Sequence, residues 1–462
     1  MPSYILPLES GLDRYRTRVL TSAPGTAAVG APVRTVKDDD ALGVQDPKLE
    51  LLTRWLCQML LPTFLVPIID FLLGNGVTTQ DTLSFELRHY HAVSENAHVV
   101  FANAKADQFQ EPFTVHTRIQ NTYRPSSFDD FSAARAFISQ GQGHLTGTVL
   151  GWEEHEVNGP DVGKRETILT LAKMANNAYV VDPSDPEWYD LEGKNWTDTY
   201  PFGWEDDGFR GQVFATPDNS TVVVSIKGTS AGFFGGGGPT AKKDKLNDNL
   251  LFSCCCARVD WTWSTVCDCY RGGGNKCNLN CLEEALAEES LFYPIGTNLY
   301  HNITYMYPES NIWLIGHSLG GALASLLGAT FGAPVVTIES PGEKMAAGRL
   351  HLPSPPSTHH ITHIYHTADP IAMGTCNGVL SSCALGGFAM ESRCHLGKSI
   401  IYDTVLNCSW AVDIRTHGIV TVIEQLLSDP WPPSIDLGLE VPEAKPEDDC
   451  VECYSWEFGD FP

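Results

Sequence analysis

From residue 167 onward, short apolar runs alternate with longer segments whose apolar positions recur at helical intervals. TILTLAKMANNAYVV (167–181) places Ile168, Leu169, Leu171, Ala172, Met174 and Ala175 on one face and predicts an amphipathic helix. Four apolar runs then read as strands: Ser220 to Ile226, Asn311 to Ile315, Pro334 to Ile338 and His360 to Tyr365. The second leads into a helix of small residues, GALASLLGATFG, and a last apolar-periodic helix, IVTVIEQLL, begins at Ile419. Strands that are apolar throughout, separated by helices, predict a buried and mostly parallel sheet covered on both faces. Upstream, residues 75–160 mix alternating segments such as AHVVFANA with polar loops and predict strands or hairpins that flank this domain.

One stretch has no such alternation. Trp55 to Gly74, WLCQMLLPTFLVPIIDFLLG, has about the ~20 residues needed to cross a bilayer. Lys48 and Arg54 precede it and no basic residue follows until Arg88, which predicts one transmembrane signal anchor with its N-terminus in the cytosol. Pro62, Pro67 and Asp70 argue for the alternative, a buried helix, although Asp70 lies near the far end, within reach of headgroups. The first twenty residues lack the pattern of a cleaved signal peptide.

The sharpest chemistry lies after the second strand, in Gly316-His317-Ser318-Leu319-Gly320. A Gly-x-Ser-x-Gly between a strand and a helix is a nucleophile elbow: the glycines permit a tight turn that presents the serine oxygen. A serine hydroxyl needs a general base and a carboxylate to orient that base, and in this arrangement the acid and then the histidine follow the serine along the chain. Asp369, in the loop after the fourth strand, is the expected acid. Of the two histidines beyond it, His395 sits in a cysteine-rich loop, whereas His417 enters the last helix and is the expected base. Oxyanion donors are expected from the backbone of Leu319 and from Thr229, after the first strand. His359, His360, His363 and His366 fall on alternating faces of one strand and its approach, so neither a metal nor another cofactor is expected.

Composition narrows the partners. Among 462 residues, 56 acidic side chains face 30 basic ones, and a formal charge of −26 makes nucleic acid an unsuitable ligand. Fifteen histidines would offset about half of that charge below a pH of about 6, a balance suited to an acidic compartment. Sequons at Asn195, Asn219, Asn302 and Asn407 are expected to carry N-glycans and tilt the fourteen cysteines towards disulfides. With Cys57 in the anchor, thirteen remain and at least one stays unpaired; Cys450-Val-Glu-Cys453 is expected to close a small loop of its own.

VVVSIKGTS, NIWLIGHSLGGALASLLG and ITHIYHTADPI, with the histidine before the final helix, resemble the fungal-type class 3 lipases. LAKMANNAYV, GWEDDGFRGQVF, LNDNLLFSCCCARVDWTWSTVCDCY and the paired CNLNC resemble more closely the fungal autophagic-body lipases, vacuolar phospholipases held by one N-terminal helix. The resemblance spans roughly residues 80–460. It implies an α/β-hydrolase fold with a disulfide-rich insertion, and passage through the endoplasmic reticulum and endosomal multivesicular bodies to the vacuole. There, acyl esters of membrane phospholipids in autophagic bodies and intralumenal vesicles would be cleaved; the resemblance also implies phosphoinositide binding, for which no motif is visible. The expected organisation is a flexible cytosolic tail (1–54), the anchor (55–74), a lumenal lead-in (75–160), the hydrolase domain (161–428) and an acidic tail (429–462). The insert after Thr229, with Phe233, Phe234, Trp261 and Trp263, reads equally as a mobile aromatic lid or as a disulfide-stapled loop with core tryptophans. Triacylglycerols or soluble esters are the rival substrates, and a membrane-tethered binding protein on an inactive hydrolase fold is the rival function.

Overall fold

A computed structural model describes residues 82–94, 98–104, 113–141, 150–180, 208–230, 241–259, 265–287 and 291–461. All belong to the unit that comprises Thr79–Pro462. In chain order the strands are β1 (Thr82–Val93), β2 (Val99–Asn103), β3 (Phe113–Pro125), β4 (Trp152–Pro160), β5 (Arg210–Ala215), β6 (Thr221–Ile226), β7 (Lys276–Asn278), β8 (Asn311–His317), β9 (Val335–Ile338), β10 (Ile361–His366), β11 (Lys398–Tyr402), β12 (Lys445–Pro446) and β13 (Glu457–Gly459). The helices used below are α1 (Phe128–Ser139), α2 (Arg165–Asn177), α3 (Ala241–Phe252), α4 (Leu279–Leu286), α5 (Phe292–Met306) and α6 (Leu319–Phe331).

Eleven strands form one sheet in the order β12-β11-β10-β9-β8-β6-β5-β1-β3-β4, with β2 on β1. From β6 through β8, β9 and β10 to β11 the pairing is parallel; β5, β1, β3 and β4 extend it antiparallel, and β12 closes the other edge antiparallel. The period-2 geometry of a strand sends alternate side chains into two cores. Val222, Val224, Ile226, Ile312 and Leu314 join the core filled by α5 and α6, while Val223, Trp313 and Ile315 join the one filled by Ile168, Leu171 and Met174 of α2. Every residue of α6 is buried, consistent with its small side chains and with the close approach of the sheet.

The α/β-hydrolase fold and its disulfide-rich region agree with expectation; the transmembrane element does not. Among the described residues no helix is long and apolar enough to cross a membrane. The fold class is therefore corrected to an α/β-hydrolase with a disulfide-rich region and no spanning helix among the described residues, and the type II single-pass topology with the route that depended on it is withdrawn. The stretch 55–74 itself lies outside the described residues, as do Asn195, Phe233, Phe234, Trp261 and Trp263. The lead-in and the acidic tail are woven into the same sheet as the hydrolase domain, through β1 on β5 and β12 on β11.

Six disulfides join Cys254–Cys453, Cys255–Cys277, Cys256–Cys267, Cys269–Cys281, Cys376–Cys383 and Cys394–Cys450, and Cys408 is free and exposed. The small loop expected between Cys450 and Cys453 is thus replaced by two long-range ties. Residue 450 is held beside the entry to β11 and residue 453 at the end of α3, so the tail is stapled across the molecule rather than onto itself.

Candidate active site

Parallel strands β6, β8 and β10 deliver their following loops to one edge of the sheet, and the candidate residues leave from there. Ser318 follows β8 with φ +56° and ψ −131°, a backbone geometry that L-residues rarely adopt. The glycines make this turn possible. A Cβ at Gly316 would sit 2.4 Å from the Gly320 backbone, and one at Gly320 only 2.1 Å from the Ile226 carbonyl oxygen.

Asp369, in the turn after β10, is fully buried, and His417 comes from the short 3-10 turn Ile414–His417 before the last helix. His417 Nδ1 lies 2.7 Å from Asp369 Oδ2, and its Nε2 lies 2.9 Å from Ser318 Oγ. An ionised carboxylate only accepts, so Nδ1 carries the hydrogen and Nε2 is free to accept from the serine hydroxyl. The Ile371 N–H donates to Asp369 Oδ1 at 2.8 Å and fixes the carboxylate. Burial works to raise Asp369, but the charge and hydrogen bond of His417, with a hydrogen bond from Glu339, outweigh it and hold the group at about 2.

The rest of the pocket braces this row. His317 Nε2 donates to the His417 carbonyl at 2.9 Å, and the Tyr179 hydroxyl donates to His317 Nδ1 at 2.7 Å. Burial, with the charge of His417, pushes His317 down to about 3, so it stays neutral. Thr229 is buried and its Oγ1 lies 2.5 Å from Asp248 Oδ2; burial pushes Asp248 up to about 8. A Cβ at Gly228 would reach the His317 carbonyl oxygen at 2.4 Å and Ser318 Cβ at 3.1 Å, so the Thr229 loop lies against the elbow. The wholly buried ion pair Lys227–Asp244, 3.0 Å, holds that loop from behind: Lys227 donates to the Gly228 carbonyl and Asp244 accepts the Ser230 N–H.

The structure thus brings Ser318, Asp369, His417, Leu319 and Thr229 to one edge, with Ser318 and Leu319 in the turn between Gly316 and Gly320. His395 is elsewhere: its two ring nitrogens donate to Glu447, 2.9 Å, and to the Ser340 carbonyl, 3.1 Å, so it ties down the tail. The other histidines of the cluster also have separate partners, His360 the Gly328 carbonyl, His363 Thr337 and His366 the Thr416 carbonyl. Among the described residues the one group of sulfur, nitrogen or carboxylate donors spaced for a metal is Cys256, Cys267 and Cys269, whose sulfurs are in disulfides. Asn219 and Asn407 are exposed and Asn302 is half-buried on α5. Sequence reasoning missed Tyr179, Asp244, Asp248 and Glu339; only Glu339, a charge directly after a buried strand, gave a local signal.

Fold and site together define a serine hydrolase on an α/β-hydrolase sheet. Residues 282–340 match the family model for Lipase (class 3). Over 369 residues the chain is 52% identical to a lipase named ATG15 from Cryptococcus neoformans var. neoformans serotype D (strain B-3501A), covering 67% of this chain and 70% of that one. An ATG15 lipase of Mycosarcoma maydis is 41% identical over 459 residues, covering 84% and 86%. The chain belongs to this ATG15 family of lipases, and its activity is lipolytic hydrolysis of the serine-hydrolase type. Among solved structures it is similar to the Yarrowia lipolytica LIP2 lipase, at 15% identity over 51% of this chain and 78% of that one, with a TM-score of 0.27.

Proposed function

We propose that this lipase cleaves acyl esters of membrane phospholipids, with Ser318 as nucleophile, His417 as general base and acid, and Asp369 as its orienting carboxylate. One observation carries the catalytic part: the unbroken row from Ser318 Oγ through both nitrogens of His417 to Asp369, at 2.9 and 2.7 Å. Ser318 attacks the ester carbonyl as its proton passes to His417 Nε2; the backbone N–H groups of Leu319 and Thr229 receive the oxyanion; the imidazolium then protonates the departing alcohol. Water, activated by the same histidine, releases the fatty acid from the acyl-serine.

A membrane substrate is supported by the surface beside the acid. Residues 371–390 follow Asp369 without one charged side chain and expose Val379, Leu380 and Leu385, an apolar rim on a chain of net charge −26. The biological setting we infer is the lysis of autophagic bodies and intralumenal vesicles in the vacuole, with N-glycans on Asn195, Asn219, Asn302 and Asn407. The test is hydrolysis of phospholipid vesicles, triacylglycerol emulsions and a soluble short-chain ester by wild type and Ser318→Ala. Vesicle lipolysis lost in Ser318→Ala, with folding retained, is expected. Equal activity in both removes Ser318 from the reaction, and activity on emulsions alone replaces phospholipid with triacylglycerol. Vesicles of varied head group, phosphoinositides included, read out specificity.

A further inference from the structure

Glu339 is the first residue after β9, and its conformation is costly. It has φ +45°, in the left-handed region where a side chain is disfavoured, and it is fully buried. Its backbone is held by the preceding strand end, where the Ser318 N–H donates to the Ile338 carbonyl, and by its own N–H donating to the Ile364 carbonyl at 2.8 Å. The carboxyl points at the catalytic row. Oε2 accepts weakly from the His366 N–H at 3.4 Å; Oε1 is 3.8 Å from His366 Nε2, whose hydrogen is already given to the Thr416 carbonyl at 3.1 Å. No N–H or hydroxyl among the described residues satisfies Oε1, yet the carboxyl is in hydrogen-bond contact with that of Asp369. Two ionised carboxylates cannot hydrogen-bond each other, so this contact requires one proton between them.

That proton belongs on Glu339. Asp369 receives the Ile371 N–H and faces His417 Nδ1, both of which favour its charged form. Glu339 has no comparable donor. Burial, then the charge of Asp369, raises Glu339 well above the ordinary carboxylic range. The other groups acting on the pair are His366 at the end of β10, His417 on its 3-10 turn and, through Asp369, His317 in the elbow; none is a lysine or arginine.

We propose that Glu339 is a positioning residue for the reaction: as a neutral acid it donates a hydrogen bond to Asp369 and keeps that carboxylate ionised and aimed at His417 in acidic solution. The inference rests on the Ser318–His417–Asp369 reading above. Withdrawing charge from Asp369 also makes His417 less basic, so the histidine stays free to act as base at lower pH. A charged Glu339 would do the opposite, adding a second negative charge that holds the proton on His417.

The test follows kcat and KM against pH on a soluble short-chain ester, with the full chain and its Glu339→Gln, Glu339→Gly and Ser318→Ala variants. The glutamine amide still donates, so Glu339→Gln is expected to retain most of kcat and the position of the acid limb. Glycine suits φ +45° but has no donor. Glu339→Gly is expected to lose roughly tenfold to a hundredfold in kcat, the worth of a hydrogen bond to a charged group, with KM little changed. Its acid limb should move up by about one pH unit. An infrared spectrum at neutral pH should show a protonated buried carboxyl in the wild type that disappears in Glu339→Gln, a readout independent of catalysis and of how Glu339→Gly folds. Absence of that band, an acid limb that moves down in both variants, or profiles unchanged in both overturns the proposal. Activity surviving in Ser318→Ala overturns the triad reading and this proposal with it, whereas loss in Ser318→Ala with unchanged Glu339 profiles overturns this proposal alone.

Discussion

Each side chain of the site is tuned by its immediate neighbours. In the proposed reaction His417 can serve as the base only in the tautomer with the hydrogen on Nδ1, and Asp369 sets that tautomer from 2.7 Å. Asp369→Asn would offer an amide N–H to Nδ1, reverse the tautomer and turn Nε2 into a donor facing Ser318. The expected loss in kcat is about 10⁴-fold with the fold intact, read on a soluble ester at the pH optimum. Thr229→Val keeps the backbone N–H but removes the hydroxyl that donates to Asp248 at 2.5 Å and anchors its loop, so a loss of about 10²-fold in kcat with little change in KM is expected, as for one displaced oxyanion donor. An unchanged kcat in that variant would show that the tie to Asp248 does not position the Thr229 N–H. That Ser318, Asp369 and His417 come together was legible because their signals are local: a turn motif, a loop after a strand and a loop before a helix. Asp248 and Glu339 were not, because their partners Thr229 and Asp369 are close only after the sheet has assembled.

At the scale of elements, legibility followed burial. β6, β8, β9 and β10 are buried along almost their whole length and rich in apolar residues because helices cover both their faces, and a short apolar run is a strong strand signal. β5, with Arg210 and Gln212, and β11, with Lys398 and Ser399, lack so clear an apolar run, because Arg210, Gln212 and Ser399 reach partners distant in the sequence. Gln212, for example, is buried and donates to the Asn177 carbonyl at the end of α2. The loop after Asp369 shows the same dependence on context. The Cys376–Cys383 disulfide closes it so that Val379 and Leu380 stand at its tip, and Leu380 is 86% exposed. No interior neighbour explains so exposed a leucine in an uncharged segment beside the site. Leu380→Asp is expected to weaken flotation with phospholipid vesicles and to cut vesicle hydrolysis about tenfold, the effect of withdrawing about one buried leucine. Hydrolysis of a soluble ester should be unaffected; vesicle binding equal to wild type would show that this loop faces water.

For the whole molecule, fifteen histidines on a chain of −26 suggested a protein that sheds its negative charge in acid. Folding limits that effect, because burial drives several of them down: His91 to about 4, His317 to about 3 and His360 to about 4. Such a group is neutral when folded and binds a proton in the unfolded chain first as pH falls below about 6.5. The stability tied to its neutral form is therefore present above that pH and lost on the way down, by roughly 2 kcal/mol each at pH 5. His395 acts in the other direction. His395 is raised: burial opposes this, but Glu447 overcomes it, so its contribution is complete below about 6.5 and fades as pH climbs through the folded value. Glu447 is lowered against its burial by His395, Ser399 and Tyr365, so its contribution is present above about 4.3 and fades in stronger acid. The pair that fastens the tail is thus strongest in mildly acidic solution, where the buried histidines are most costly, and two of the six disulfides secure the same tail. With disulfides intact, the buried histidines are expected to pull Tm down between pH 7 and pH 5, while Asp248 and Glu339, carboxyls that burial raises and keeps neutral in the folded chain, pull it up. His360→Gln should lower Tm at both values yet reduce the loss towards acid, whereas His395→Gln should increase that loss by removing a contribution that grows in acid. Parallel slopes in wild type and both variants would mean that the acid response of this fold is set elsewhere than in its buried histidines.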